Sequence, residues 1–431
     1  MTPEVLGTIG LLLLLLAIGM PIGFALGCAG IVGLLLVSGF PLVKGILLTA
    51  PYSSAASFVL SAVPMFILMA ELASAGGMTR DIFNAAHKWL GSFKGGLGIA
   101  TIMASAVMAA VSGSSTASAA AMSKLAIPEM RKYGYSDVFS AGIVSVAGTL
   151  AIMIPPSIIL ILYGILTETN IAQLLIAGIV PGLLTAAGYV VSVYLWAKTS
   201  PEVAPVISSF PLKERITSLR RVWPMLLVIV GVLLAIYTGV VTPTEAGAFG
   251  SFITLVIVML ISSIKLADIE AALSRTAVTT GMIFTVIIGA MIFGYFLTYT
   301  RVTQGLVSFV GSMNLDRGLV LLVIVLFYVV LGMFMDQLAI LFLTVPLTFP
   351  LATSLGFDPV WFGVIITKTA EIGLVTPPVG MNVYVVSSVT GVPVERVFRG
   401  TGRLLLVEFV VLMLLIVFPS LVLWLPSRMN F

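Results

Sequence analysis

Gly148-Thr149-Leu150-Ala151-Ile152-Met153-Ile154-Pro155-Pro156-Ser157 and Ala370-Glu371-Ile372-Gly373-Leu374-Val375-Thr376-Pro377-Pro378-Val379 lie 222 residues apart. Each sets a Pro-Pro pair in the middle of an apolar segment of membrane-crossing length. The same offset lays Pro128 on Pro350, Tyr135-Ser136-Asp137 on Phe357-Asp358-Pro359, Gly96 on Gly318 and Pro21 on Pro243. Residue identity between the halves is thin, so hydropathy and punctuation carry the match. Proline removes an amide donor and frees the carbonyl one turn back. Freed carbonyls and half-helix C-termini suit a cation, whereas half-helix N-termini suit a carboxylate. A duplicated membrane chain, broken in each copy at mid-segment, predicts a secondary transporter with its site between the breaks.

Composition supports the membrane setting. Hydrophobic residues make up 60% of the 431 and charged residues 9%, more apolar surface than a soluble core could hide. The N-terminal apolar run has no basic residues ahead of it, so it is expected as a retained span and not a cleaved signal. A net charge of +4, spread over short loops between spans, does not point to nucleic acid. The single cysteine, Cys28, excludes an internal disulfide and any cysteine-based metal cluster. The single histidine, His87, sits beside Lys88 and Trp89 in a polar stretch and reads as an interfacial loop residue. Zinc hydrolysis and Ser-His-Asp chemistry therefore lack their parts, and no enzyme is expected.

Full spans are expected at 5–19, 22–40, 52–75, 138–164, 171–197, 222–240, 246–264, 277–298, 360–389 and 402–425. Two further pairs, 95–111 with 117–130 and 318–333 with 339–352, are too short or too rich in small residues to cross comfortably. They read as re-entrant hairpins, at about 95–130 and about 318–352, with tips Ser112-Gly113-Ser114-Ser115-Thr116 and Gly332-Met333-Phe334-Met335-Asp336. Bare backbone at such depth is tolerated only beside protein or a water-filled cavity. Arg80, Lys88, Lys94, Lys124, Arg131 and Lys132 flank the first hairpin, which predicts entry from the cytoplasmic face. Around the second only Arg317 is basic, beside Asp316 and Asp358, which predicts the external face. Lys198, Lys213, Arg215, Arg220 and Arg221 make 198–221 a cytoplasmic linker, and Arg396, Arg399 and Arg403 mark a second cytoplasmic cluster. The weakly charged turns 167–170 and 241–245 are then external, both chain ends lie outside, and repeat 222–431 runs upside down relative to repeat 1–197. The overall expectation is an all-α polytopic inverted-repeat transporter of elevator type. Stretches 41–50 and 265–276 read as amphipathic interfacial helices linking a rigid frame to a moving part, an ordinary surface loop being the alternative.

The run Ser112-Gly113-Ser114-Ser115-Thr116-Ala117-Ser118 combines a residue that allows a sharp turn with closely spaced hydroxyls, which are hard oxygen ligands. A small-residue packing face is the alternative. One sodium site is expected where Ser112, Gly113 and Ser115 face Gly148, Thr149 and Pro155. The other is expected where Gly332 faces Thr369, Glu371, Gly373 and Thr376. Intramembrane charge is costly unless paired or wet, which singles out Glu71, Glu245, Arg301, Asp336, Lys368 and Glu371. Arg301 lies near the mouth of the second hairpin and Asp336 at its tip. A guanidinium forks naturally onto a carboxylate, and Asp336 could hold it or bind a polar end of the substrate; the alternative for Arg301 is an interfacial snorkelling residue. Lys368 and Glu371, three apart on one helix face, could form a structural ion pair. Glu71 has no evident partner.

Gly19-Met20-Pro21-Ile22-Gly23, the Ser-Gly-Ser-Ser-Thr-Ala-Ser tip, Met153-Ile154-Pro155-Pro156-Ser157, Thr242-Pro243-Thr244-Glu245-Ala246-Gly247 and Thr376-Pro377-Pro378-Val379-Gly380 resemble the large membrane subunit of tripartite ATP-independent periplasmic (TRAP) transporters. The resemblance runs over essentially the whole chain. It implies sodium-powered uptake by an elevator movement in the bacterial inner membrane. It implies two partners, a small four-helix membrane subunit and a soluble periplasmic protein that delivers organic acids. No apolar span precedes residue 1, so the small subunit is expected as a separate chain. The resemblance places Arg301 and Asp336 at the substrate site and associates Ser114, Ser157 and Glu245 with transport; Ser114, Ser157, Pro156 and Pro378 are expected to join Arg301 and Asp336 in binding the substrate. Dicarboxylates, sialic acids, other sugar acids and keto acids would all present the required carboxylate. Two other readings compete: an ion or oxyanion exporter that needs no delivery protein, and a membrane scaffold that transports nothing.

Overall fold

A computed structural model of the chain describes residues 2–207, 209–262 and 264–429. Met1 and Phe431, the ends expected outside, and Ser208 within the expected linker lie outside the described residues, as does Ser263. Among the described residues all regular structure is helical. Eight helices among the described residues are long and apolar enough to cross a membrane, or nine if one bent pair is taken as a single span. Large apolar side chains such as Leu36 (62% exposed) and Leu260 (79%) face outward, as they must where lipid is the solvent.

The expected helix pairs and broken helices are present in matching register, but both limbs of the second pair, expected to be too short to cross, are among the helices long and apolar enough to do so. Helices Gly96–Ser112 and Ser115–Lys132 form the first hairpin, and Arg317–Phe334 and Gln337–Ser354 form the second. Their tip-side ends and final residues coincide at the 222-residue offset. Local chemistry explains each tip. Gly113 takes a left-handed φ of 57°, which a side chain would resist, and Ser114 then caps the second limb by accepting from the Ala117 amide. In the second hairpin Met335 is extended and Asp336 caps the limb, accepting from the Ala339 amide at 3.0 Å. Ser114 and Asp336 are thus the same structural position in the two halves.

The first broken helix runs Asp137–Met153 and then Ile158–Thr167, bent by 40°. The second runs Pro359–Gly373 and then Met381–Thr390. Both Pro-Pro peptides, Pro155-Pro156 and Pro377-Pro378, are cis. Around these elements the chain divides into two packed groups. In one, Ile22–Ser38 lies on the long helix Leu266–Tyr299 so closely that a Cβ on Gly23 would fall 2.7 Å from the Thr285 carbonyl oxygen. Ala62–Ala75 packs on Pro243–Ile261 in the same group. In the other, both hairpins pack on the broken helices, and Asp137–Met153 meets Val394–Val417 with Gly142 against Gly400.

Several elements differ from expectation. The stretch 265–276 is not a separate interfacial helix: it runs unbroken into the following span as the 34-residue helix Leu266–Tyr299. At 1.5 Å per residue that is about 51 Å, well beyond a hydrocarbon core of about 30 Å. The first half does have the break, between Phe40–Ala55 and Phe58, and it also has Pro51 inside that helix. Proline weakens a helix interior, and the equivalent position in the second half is Leu273. His87 is not in a loop but on helix Met78–Leu90, buried against the rings of Tyr133 and Phe210. The linker is helical from Leu212, where Leu212–Tyr237 begins.

Candidate substrate and ion site

The two hairpin tips and the two breaks meet at one cavity of about 270 Å³. Its walls include Ser115, Ile158, Gln337 and Met381, which are the first residues of four different half-helices. Four helix N-termini therefore converge on one space. Their positive dipole ends favour negative charge there, although side-chain caps from Ser114, Ser157 and Asp336 each satisfy one amide. Thr279, Met282 and Ile283 of the long helix close the remaining side.

Ser114 and Asp336 line this cavity as expected. Ser157 is fully buried at the first break and accepts from the Leu160 amide at 3.3 Å. Pro156 is buried beside it, and Pro378 is exposed at the second break. Neither proline lines the cavity. Arg301 lies elsewhere, at an exposed left-handed turn just before helix Val302–Ser312. That helix touches the second hairpin where Thr303 Oγ1 donates to the Pro346 carbonyl at 3.5 Å. Ten residues of helix, about 15 Å, separate Pro346 from the Asp336 tip. Arg301 is not among the residues that line the cavity.

The expected ion ligands divide in the same way. Gly113 and Ser115 are at the cavity, and a Cβ on Gly148 would lie 3.0 Å from the Ser115 carbonyl, so hairpin and broken helix meet backbone to backbone. Pro155 is buried at the first break. Ser112 instead borders a second crevice of about 100 Å³, on the side of Glu71 and Thr79. In the second half Gly332 and Gly373 are in direct backbone contact, a Cβ on Gly373 falling 2.4 Å from the Gly332 Cα. The Gly380 amide donates to the Met333 carbonyl across the same seam. Thr369 and Thr376 donate to Ile365 and Ile372 carbonyls at 2.7 and 2.6 Å, leaving hydroxyl lone pairs free. Among the described residues the side-chain oxygens of Ser112, Ser118, Ser145 and Asn382 lack hydrogen-bond partners. Orphaned hard oxygens beside bare backbone fit a sodium ion.

Glu371 and Thr149 belong to a different centre. Glu371 is fully buried 3.4 Å from Lys368 Nζ, which realises the expected ion pair. Lys368 also pairs with Glu408 and donates to Thr185 Oγ1 at 3.0 Å, while Tyr189 and Thr149 donate to Glu408. Sequence reasoning missed Glu408, although it is the lone carboxylate in the apolar run of Leu404 to Val417. The rule that singled out Glu371 would have found it. Glu71 has a partner after all: Arg275 reaches its Oε2 at 2.6 Å, tying Ala62–Ala75 to the long helix. Glu245 forms a capping box with Thr242 at the start of Pro243–Ile261, away from the cavity.

Residues 9–421 match the family model described as the DctM component of the tripartite ATP-independent periplasmic transporter. The C4-dicarboxylate TRAP transporter large permease protein DctM of Pseudomonas aeruginosa is 36% identical over 87% of this chain and 88% of its own. The sialic acid TRAP transporter large permease protein SiaM of Vibrio cholerae is 34% identical over 99% and 98%. Among solved structures, the YdaH transporter of Alcanivorax borkumensis superposes with a TM-score of 0.66 at 13% identity, covering 98% of this chain and 100% of that one, so the fold is shared. The chain is a multi-pass membrane protein and belongs to the large permease subunits of the tripartite ATP-independent periplasmic transporters.

Proposed function

We propose that this subunit takes up an organic acid by sodium-coupled elevator transport across the bacterial inner membrane. A periplasmic binding protein delivers the acid, and a small four-helix membrane subunit completes the permease. The observation that carries the reading is the convergence of four half-helix N-termini on a cavity of about 270 Å³. That volume is near the lower end for small-molecule pockets and suits a compact carboxylate. That relatives are named for C4-dicarboxylate and for sialic acid supports an organic acid as the substrate.

In this reading Ser114, Ser157 and Asp336 supply polar contacts near the half-helix N-termini. Sodium bound at Gly113, Ser115 and Gly148, and in the second half near Gly332, Thr369, Gly373 and Thr376, draws each tip onto its broken helix and raises the local positive potential. Repeats 1–197 and 222–431 sit with opposite orientation about the linker 198–221, both chain ends outside. Sliding the second hairpin by about the 15 Å of helix between Asp336 and Pro346 would bring its tip to Arg301, which then takes the carboxylate. Each net positive charge moved inward contributes about 2.3 kcal/mol per 100 mV. Two sodium ions per monoanion are the minimum for an electrogenic step.

Reconstituted with both partners, the subunit should accumulate acid only under an inward sodium gradient. Uptake that persists on a proton gradient alone would overturn the coupling ion. Uptake without the binding protein would favour an exporter-like permease.

A further inference from the structure

Asn382 is the second residue of helix Met381–Thr390, just past the second break, yet its side chain acts in the other half of the molecule. It is fully buried, and its Nδ2 donates to Ser115 Oγ at 2.5 Å and to the Ser145 carbonyl at 3.2 Å. A carbonyl only accepts, so the Ser145 contact fixes which amide atom is nitrogen. Both amide protons are thereby committed to the first hairpin and the first broken helix. Asn382 Oδ1 is left buried without a partner. So are Ser145 Oγ, on the residue that supplies the carbonyl, and Ser118 Oγ, one turn along from Ser115. Native interiors rarely leave such oxygens unmet, and a bound cation or a buried water would meet them.

We propose that Asn382 is a positioning residue: it holds the Ser115 hydroxyl for the sodium ion of the first half and transmits that ion's presence to the second break. The inference rests on the sodium reading above. Accepting from Asn382 takes one lone pair of Ser115 Oγ and leaves the other for the ion. The helix that begins at Met381 lines the cavity, so an ion that fixes Ser115 also fixes one of the four N-termini facing the acid. A bound sodium in one half thereby prepares the acid site built partly from the other.

The test is the sodium dependence of thermal stability for the full chain in detergent, with potassium as the control. It compares wild type, Asn382→Leu (similar in shape, no amide) and Ser115→Ala. Wild type should be stabilised by sodium, and the half-saturating sodium concentration should rise about tenfold to a hundredfold in either variant. The double variant should rise little further. In proteoliposomes Asn382→Leu should also lose cooperativity in sodium, and its KM for the acid should stay raised at saturating sodium. An unchanged sodium midpoint in Asn382→Leu, whatever its sodium-free melting temperature, overturns the inference and leaves the sodium reading intact. Should that variant fail to fold, an unchanged midpoint in Asn382→Ser overturns it equally. A wild type that responds alike to sodium and potassium overturns both.

Discussion

Lys368, Glu371 and Glu408 place one amino and two carboxyl groups together in the interior, each fully buried. A buried ion network contributes little net stability, but removing one partner strands the others. Lys368→Met should therefore destabilise the protein by about 3–5 kcal/mol, read as lost thermal stability. Replacing all three charges with apolar residues should recover much of the loss. An unaffected Lys368→Met would show that the cluster carries no such charge burden. His87 gives a second test. Burial, chiefly, lowers its pKa, with Lys132 and Lys88 acting the same way and Glu129 opposing. Protonation is thus disfavoured in the fold relative to an unfolded value of about 6.5, so stability is full above that pH and falls as pH drops through the folded pKa. His87→Phe should flatten this acid-side loss of melting temperature. The Lys368–Glu371 pair was legible because its members are three residues apart on one helix. His87 was misplaced because its partners Tyr133 and Phe210 are distant in sequence.

At the scale of elements, punctuation decided what could be read. Each hairpin is bounded by a helix-stopping tip and each broken helix by a Pro-Pro pair, so their limits emerge within a few residues. Helices Met78–Leu90 and Val302–Ser312 escaped notice because they are short and lack a crossing-length apolar run. The long helix Leu266–Tyr299 escaped because a repeat argument carries the first half's break into the second, where leucine replaces proline. Restoring that proline with Leu273→Pro should cost about 3 kcal/mol or more and admit a protease cut near 273, whereas Pro51→Leu should be tolerated. The seam between the second hairpin and its broken helix is the tightest contact among the candidate ion residues. Gly373→Ala puts a methyl 2.4 Å from the Gly332 Cα, so the backbones must separate. Destabilisation of about 1–3 kcal/mol and loss of sodium-dependent stabilisation should follow, measured by melting with and without sodium. An alanine variant indistinguishable from wild type would remove this seam from the ion site.

For the whole molecule, the frame of Ile22–Ser38, Ala62–Ala75, Pro243–Ile261 and Leu266–Tyr299 faces a second group that holds both tips, both breaks and the buried charges. The cavity lies where the two groups touch, with Met282 on the frame side and Leu338 on the hairpin side. Sequence singled out Ser114, Ser115 and Asp336 because hydroxyls and a carboxylate at hairpin tips are potential ligands; Ser114 and Asp336 also cap the limbs that follow them. It joined Arg301 to Asp336 by proximity along the chain, and the structure separates them along the hairpin. That separation is what a sliding hairpin would close. Cys28 is the sole cysteine, so a cysteine-free background needs one change. In it, Met282→Cys and Leu338→Cys can be bridged by a short bis-maleimide and uptake measured in proteoliposomes with the binding protein present. Uptake should vanish on bridging and survive with either single cysteine; bridged protein transporting at the unmodified rate would contradict movement of the hairpins along the frame.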